Sequence, residues 1–419
     1  MRLLTTALFA LFGASLLTSC SEEMPSFNPE RNWTEGPDIL SQFILAEDSM
    51  TIEIPEGHFK FDQSLILDGV HHVTIKGAGK DKTVLSFEGQ TQGAEGILVK
   101  QCSNITLSDF TIEDAKGDNI KVTETDGIHF NGLRVAWTGT VSPENGAYGL
   151  YPVLSKRVII QNCEVLGASD AGIYVGQSDS VIIKNNEVYW NVAGIESENS
   201  THVLIAGNHA HHNTGGLLIF DLPGLTMYGH SIEAFDNVLE ENNLENFAPA
   251  GNIVAMVPPG TGIMVLATKK VNIHDNVVKN NKTASAAVIS YELVSAMASE
   301  TSEDAPSNAG STQSVQANFR ADSLYDPFCG QIHFSNNTFT NDYSMPDLSN
   351  DFGKLFLLEF GTDIPFQLWG GIAEESMLSD GRLTDEYSIC FQTNATSANL
   401  DLANDRENLE VNPSITQCP

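Results

Sequence analysis

An all-β solenoid, built of short parallel strands stacked in coils of about 22 residues, is the fold this sequence predicts. Three observations carry the prediction. Segments of one shape recur: Val158-Ile-Ile-Gln-Asn-Cys-Glu-Val165, Val181-Ile-Ile-Lys-Asn-Asn-Glu-Val188 and Val203-Leu-Ile-Ala-Gly-Asn-His-Ala210, with looser copies beginning at Val73, Ile105, Ile128, Ile232, Val271 and Ile332. Steps from 105 to 128, 158 to 181 and 181 to 203 are 23, 23 and 22 residues. A second marker keeps the same step: Gly149, Gly172, Gly194 and Gly216 lie 23, 22 and 22 apart, and Gly262 follows 46 later. Finally, the segments alternate as strands do and lack the 3-and-4 apolar spacing of helical repeats.

The N-terminus is an address rather than part of this repeat. Met1-Arg2 leads into the apolar run Leu3–Leu17, which ends Leu17-Thr18-Ser19-Cys20. A positive start, a hydrophobic centre and small residues before a cut describe a secretory signal over residues 1–19. The Leu-x-Ser-Cys ending resembles the lipobox of bacterial lipoproteins. That resemblance implies lipidation of Cys20 as the first mature residue, and Ser21 after it resembles outer-membrane sorting. The expected location is the bacterial cell envelope, with a lipid anchor in the outer membrane. Residues 20–35 are polar, with Pro and Asn, and are expected to be a tether.

Residues 36–342 are expected to hold the solenoid. Ile39, Leu40, Phe43, Ile44 and Leu45 give Asp38–Ser49 helical spacing, suited to plugging an open first coil that would otherwise expose core and strand edges. Thr51-Ile-Glu-Ile-Pro-Glu-Gly-His58 begins the coils. Asn tolerates a left-handed backbone and its amide reaches the coils above and below, so Asn186, Asn208, Asn237, Asn276 and Asn337 are expected to form a ladder, with Cys163 in the same column. The Gly column marks backbone that bends tightly or lies against its neighbour. Residues 136–156 lengthen one coil, and the Ser/Ala/Thr/Asn/Asp-rich stretch 295–327 is expected to be a mobile excursion. After 342 the period is lost, and residues 343–419, with Leu355–Phe360 and Phe366–Trp369, are expected to form an irregular C-terminal cap. Five cysteines follow Cys20, and Cys390 with Cys418 is the preferred bridge in an exported chain.

The repeats, together with residues 145–152, Ser169–Ser178 and Asn191–Glu196, resemble the right-handed parallel β-helix superfamily that includes pectate lyases and uronan epimerases, and within it a bacterial lipoprotein branch. The resemblance implies right-handed winding and a function directed at carbohydrate.

Charge narrows the partners. With 54 acidic against 21 basic side chains the chain carries −33, a field that repels phosphate and excludes nucleic acid. Outward columns gather Tyr, His and carboxylates in one stretch: Tyr151, Tyr174 and Glu196, then Asp170, Asn191 and Asn213 at the preceding turn, and Tyr189, His209 and His211 on another strand. Coils 4.8 Å apart would present such groups at a spacing suited to a sugar chain. Lyase or epimerase chemistry on a uronate needs a base, an acid and a counter-charge for the carboxylate. Tyr174 and His211 are the candidate base and acid with Glu196 beside them, Tyr151, Asp170, Asn191, Tyr189 and Asn213 the candidate substrate contacts, and Glu196, Glu198 and Asp170 the candidate Ca²⁺ ligands. No Lys or Arg falls at the spot where superfamily lyases place one. Hydrolysis would instead draw two carboxylates from Asp170, Glu196 and Asp221. His209, His211 and His212 lack an evident third metal ligand. The expected function is therefore binding, and potentially lyase- or epimerase-type processing, of a polysaccharide, against the alternative of a non-catalytic β-helix module that binds glycan or a protein at the outer membrane.

Overall fold

The computed structural model describes residues 24–34, 38–298 and 311–417. Each complete coil contributes one strand to each of three sheets of eleven, ten and twelve strands, parallel throughout except where Glu410–Val411 pairs antiparallel with Ser397–Asn399 at one edge. In the coil from 179 to 198, Asp179–Lys184 lies in the first sheet, Glu187–Tyr189 in the second and Ala193–Glu198 in the third. Parallel pairing sets like on like. Val158, Val181 and Val203 are register partners, as are Ile160, Ile183 and Ile205, and Ile173, Ile195 and Leu217. These side chains are buried in one continuous core, so a strand buried on its inner face needs only one ladder of Val, Ile or Leu. The winding is that of a right-handed parallel β-helix.

The turns are held by side-chain ladders. Asn186 Oδ1 accepts from Cys163 N, Asn208 Oδ1 from Asn186 N, Asn237 Oδ1 from Asn208 N and Asn276 Oδ1 from Asn237 N, and the series passes through Asn337 to Gln392. The left-handed residue is the one before each ladder Asn: Asn162, Asn185, Gly207, Asp236, Asp275 and Asn336 all have φ between 54° and 66°. Two further stacks close the other corners. Asn191, Asn213, Asn242 and Asn281 repeat the same bonds between the second and third sheets, and Ser155, Ser178 and Ser200 do so between the third and first. The Gly column is a close-approach column: a Cβ on Gly194 would sit 2.7 Å from Gly216 O, and one on Gly216 2.7 Å from Gly262 O.

Several expectations change at the ends. The N-terminal helix α1 (Ile39–Ile44) spans one and a half turns rather than Asp38–Ser49. Its N-cap Asp38 accepts from Ser41, and Ile39 and Phe43 enter the core while Ile44 and Leu45 are exposed. Residues 24–34 are docked instead of free: Ser26–Phe27 pairs antiparallel with Gly139–Thr140, and Arg31 Nη2 meets Glu113 Oε2 at 2.6 Å. The stack continues past 342, because Gln367–Trp369 and Ser397–Asn399 extend the third sheet and Ile389–Cys390 the first. The excursion contributes two helices, α2 (Tyr291–Ala298) and α3 (Thr312–Ala321), with 299–310 outside the described residues. Cys20 and the signal segment lie outside them too. Cys390 is disulfide-bonded, Cys102, Cys163 and Cys329 are free thiols, and the expected partner Cys418 falls outside the described residues.

The long insertions follow one rule. Residues 221–229, 241–260, 341–366 and the described parts of a fourth insertion, 290–298 and 311–329, each leave or rejoin the third sheet between Phe220 and Gln367. They therefore build walls on its outer face. A second apolar cluster, separate from the coil interior, joins Tyr174, Leu218, Phe220 and Leu266 of the sheet to Val254, Val257, Val294 and Val315 of the walls. Hydrogen bonds tie one wall to the other: Asp322 Oδ2 accepts from Gly224 N and from the Tyr228 hydroxyl, and the Tyr325 hydroxyl donates to Asp221 O.

Candidate functional site

These walls enclose a groove with a cavity of about 240 Å³ above the third sheet. Its floor is set by register. One outward column runs Lys121, Tyr151, Tyr174, Glu196, Leu218, Met264, Ala287, Leu368, and a neighbouring one runs Gly176, Glu198, Phe220, Leu266, Ile289. Each column changes from hydrogen-bonding to apolar side chains within a single coil step, between the strand Ala193–Glu198 and the strand Gly215–Phe220. The groove thus has a polar end and an apolar trough, the latter walled by Leu222, Met256, Val257, Leu293 and Val294.

At the polar end, Tyr148, Tyr151 and Tyr174 cluster with ring centroids 4.5–4.9 Å apart. The Tyr174 hydroxyl donates to Glu198 Oε2 at 2.6 Å. Gly176 makes this contact possible, because a Cβ there would stand 2.6 Å from Tyr174 Cζ. Lys121 Nζ lies over the Tyr151 ring, 4.8 Å from its centroid, and 3.8 Å from Asp118 and 3.9 Å from Glu95. Burial dominates the titration of the acids. Glu198 is pushed up to about 7, with the Tyr174 hydrogen bond opposing. Asp170 is pushed up to about 7 by burial and by the charges of Glu198 and Asp118, against a hydrogen bond from Tyr148. Glu196 is raised well above its ordinary value by burial and by the charges of Asp170 and Glu198. Near neutral pH the three therefore share protons between them, so proton donors and acceptors coexist in one site. Tyr174, by contrast, is held well above its ordinary value by burial and by Glu198, which keeps it a phenol and a hydrogen-bond donor. It is poorly suited to act as a base.

The structure brings Tyr151, Asp170, Tyr174, Glu196 and Glu198 into this groove. It does not bring His211 or Tyr189 there. Both lie on the second sheet, on the strands His209–His211 and Glu187–Tyr189, so the pairing of Tyr174 as base with His211 as acid fails on geometry. Asn191 and Asn213 are fully buried ladder residues whose amides are spent on backbone and on each other, and they meet no substrate. Asp221 is buried beneath its own wall, with Oδ2 accepting from Gly229 N, and does not line the groove. The trio Asp170, Glu196 and Glu198 does not converge as Ca²⁺ ligands: among the described residues, the set of three ligand atoms within 4.8 Å of one another is Glu187, His209 and His211. Lys121, which borders the site through Tyr151 without lining the cavity, was not legible in the sequence. It sits in register with Tyr151 although 30 positions separate them, because residues 136–147 throw the repeat out of phase.

Comparison with known proteins places the fold. A family profile described as "Right handed beta helix region" matches residues 144–296. The chain is 23% identical over 278 residues to a pre-neck appendage protein of Bacillus phage phi29, covering 57% of this chain and 32% of that protein, so it spans about a third of that relative's length. Among solved structures, the A-module of a mannuronan C-5 epimerase from Azotobacter vinelandii aligns at 12% identity, over 76% of this chain and 85% of that one, with a TM-score of 0.43. The catalytic domain of an α-1,3-glucanase, solved in complex with tetrasaccharides, aligns at 14% identity over 70% and 42% of the two chains, with a TM-score of 0.43.

Proposed function

We propose that this right-handed β-helix protein is an envelope protein that holds an amphipathic, carbohydrate-headed molecule along its third sheet, with the sugar among the tyrosines and carboxyls and the apolar part in the trough. One observation carries the reading: the floor column changes from Tyr151, Tyr174 and Glu196 to Leu218 and Met264 inside a single groove. A bare polysaccharide lying over Leu218, Phe220, Met264 and Leu266 would leave ring hydroxyls without partners, at a cost on the order of 1–3 kcal/mol each. A uronan adds a charge problem, since its carboxylates would face Asp170, Glu196 and Glu198 beside one lysine already shared by Glu95 and Asp118. The polar end favours a neutral sugar. Its mixed protonation also meets the requirement for proton transfer to a glycosidic oxygen, one acid protonated and one ionised.

The test is a binding series with n-alkyl glycosides of increasing chain length, the matching free oligosaccharides and uronan oligomers, measured by calorimetry below micelle-forming concentrations. Affinity is expected to rise about fourfold per buried methylene at full burial, and Leu218→Asp to abolish the chain-length dependence. Release of free sugar from a bound alkyl glycoside would separate processing from holding. Free oligosaccharides binding as tightly as their alkylated counterparts would overturn the reading.

Export and anchoring belong to the same proposal, supported by the lipobox-like Leu17-Thr18-Ser19-Cys20. Cys20→Ser is expected to move the mature protein from the membrane fraction to the soluble fraction on cell fractionation; retention in the membrane would remove Cys20 as the anchor.

A further inference from the structure

Away from the groove, the outer face of the second sheet gathers the groups that a transition metal requires. Register places Glu187 beside His209 and Tyr189 beside His211, and the next coil sets Glu240 beside His211. Two columns two residues apart thus present two imidazoles flanked by carboxylates on one face. Each of Glu187, His209 and His211 offers a ligand atom, all within 4.8 Å of one another. The imidazoles of His209 and His211 lie 4.2 Å apart at their centroids. His211 Nε2 is 3.4 Å from Glu187 Oε1, and His209 Nε2 is 3.0 Å from Glu240 Oε1.

The surroundings orient these ligands. Tyr189 stacks on the His211 ring, 5.1 Å between centroids and 9° from parallel, and its hydroxyl donates to Glu164 Oε1, itself fixed by Lys80 and Arg134. His211 Nδ1 shares a hydrogen bond with His212 Nδ1 at 2.8 Å, which leaves Nε2 as the nitrogen turned to Glu187. Metal-bound histidines are held in this way, through the nitrogen that does not ligate.

We propose that Glu187, His209 and His211, with Glu240 as a fourth ligand, bind one divalent transition-metal ion of the zinc, nickel or copper type. Imidazole nitrogen with carboxylate oxygen suits these ions and not Ca²⁺, which takes six to eight oxygens. Two neutral imidazoles and two carboxylates balance a 2+ charge. The site lies across three coils, so the ion also clamps the strands Glu187–Tyr189, His209–His211 and Val238–Glu240 together.

The test titrates Zn²⁺ into the tag-free, metal-stripped mature protein in competition with a chromogenic chelator. One equivalent is expected, with affinity reduced at least tenfold by His211→Ala and by His209→Ala, less by Glu187→Gln, and unchanged by His274→Ala, whose ring lies elsewhere between Glu233 and Asp275. Thermal melting of each variant without metal shows that it is folded, and Zn²⁺ is expected to raise the melting temperature of the wild type and of His274→Ala most, of Glu187→Gln less, and of the two histidine variants least. Wild type and His211→Ala binding Zn²⁺ alike, or no competition by the wild type, would overturn the site. The groove's ligand series is read independently, so either result leaves the other standing.

Discussion

Asn208→Leu is expected to lower the free energy of unfolding by about 2 kcal/mol. Asn208 fills one rung of the ladder between the first and second sheets. Its Oδ1 accepts from Asn186 N and Asn186 Nδ2, and its Nδ2 donates to Ile183 O and to Asn237 Oδ1. Leucine matches the volume and supplies none of these bonds. Asn186 Nδ2 keeps a bond to Ile160 O, Asn237 Oδ1 keeps Asn208 N, and Ile183 O stays in the parallel ladder with Lys156–Gln161, so the loss that stands is the buried Asn186 N. Each buried orphan costs about 1–3 kcal/mol. The comparison is Asn185→Gly: Asn185 is exposed with φ 54°, a backbone that glycine adopts without strain, and its replacement should change stability by no more than about 1 kcal/mol. Urea unfolding reports both, and hydrogen exchange at Asn186 and Ile205 shows whether the coil opens locally, as nearest-neighbour stacking allows. A loss under 1 kcal/mol for Asn208→Leu would mean that the ladder is ornament and that core packing alone holds the turns.

What the repeat made legible, and what it hid, follows from this geometry. A period near 22 fixes which residues become neighbours across coils, so Tyr174 beside Glu196 and Asn186 beside Asn208 were both readable. The period does not say on which of three faces a column falls. That depends on where the two Asn corners lie, and a second-sheet strand of three residues has one inward side chain, such as Val188, too little alternation to fix its orientation. The period alone therefore leaves His211 free to join Tyr174 across a corner, and it does not distinguish Asn191, the rung of a second ladder, from a surface residue. The apolar trough was hidden for another reason. Leu218, Met264 and Phe220 have the composition of core, and only the insertions that wall the third sheet turn an outward aliphatic column into a cavity. The last coils were hidden because 341–366 and 370–388 separate strands that still pair.

Raising the pH from 5 to 9 is expected to destabilise the wild-type protein steeply, and Glu198→Gln to remove much of that slope. The sign follows from the direction of the shift. Glu198 titrates near 4.5 when exposed and is raised to about 7 in the fold. Between those values the native state holds a proton that the unfolded chain has released, so stability falls as pH rises, and the loss is complete above the native value. A raise from 4.5 to about 7 corresponds to on the order of 3 kcal/mol. Asp170 is raised by the same burial and by the charges of Glu198 and Asp118, and Glu196 by burial and by the charges of Asp170 and Glu198, so they add to the slope, as does Asp221, pushed up to about 8 beneath its wall. Glutamine at 198 still accepts from the Tyr174 hydroxyl but never ionises, and it also relieves Asp170 and Glu196 of one like charge. At pH 5 the variant should match the wild type; at pH 9 it should be the more stable of the two. Tyr174→Phe should act in the opposite sense, because it deletes the donor that favours ionised Glu198 and so steepens the loss. A wild-type unfolding midpoint that is level or rising between pH 6 and 9 would show these acids ionised at no cost, and a site of ionised carboxylates is one that would hold a cation instead of a neutral sugar.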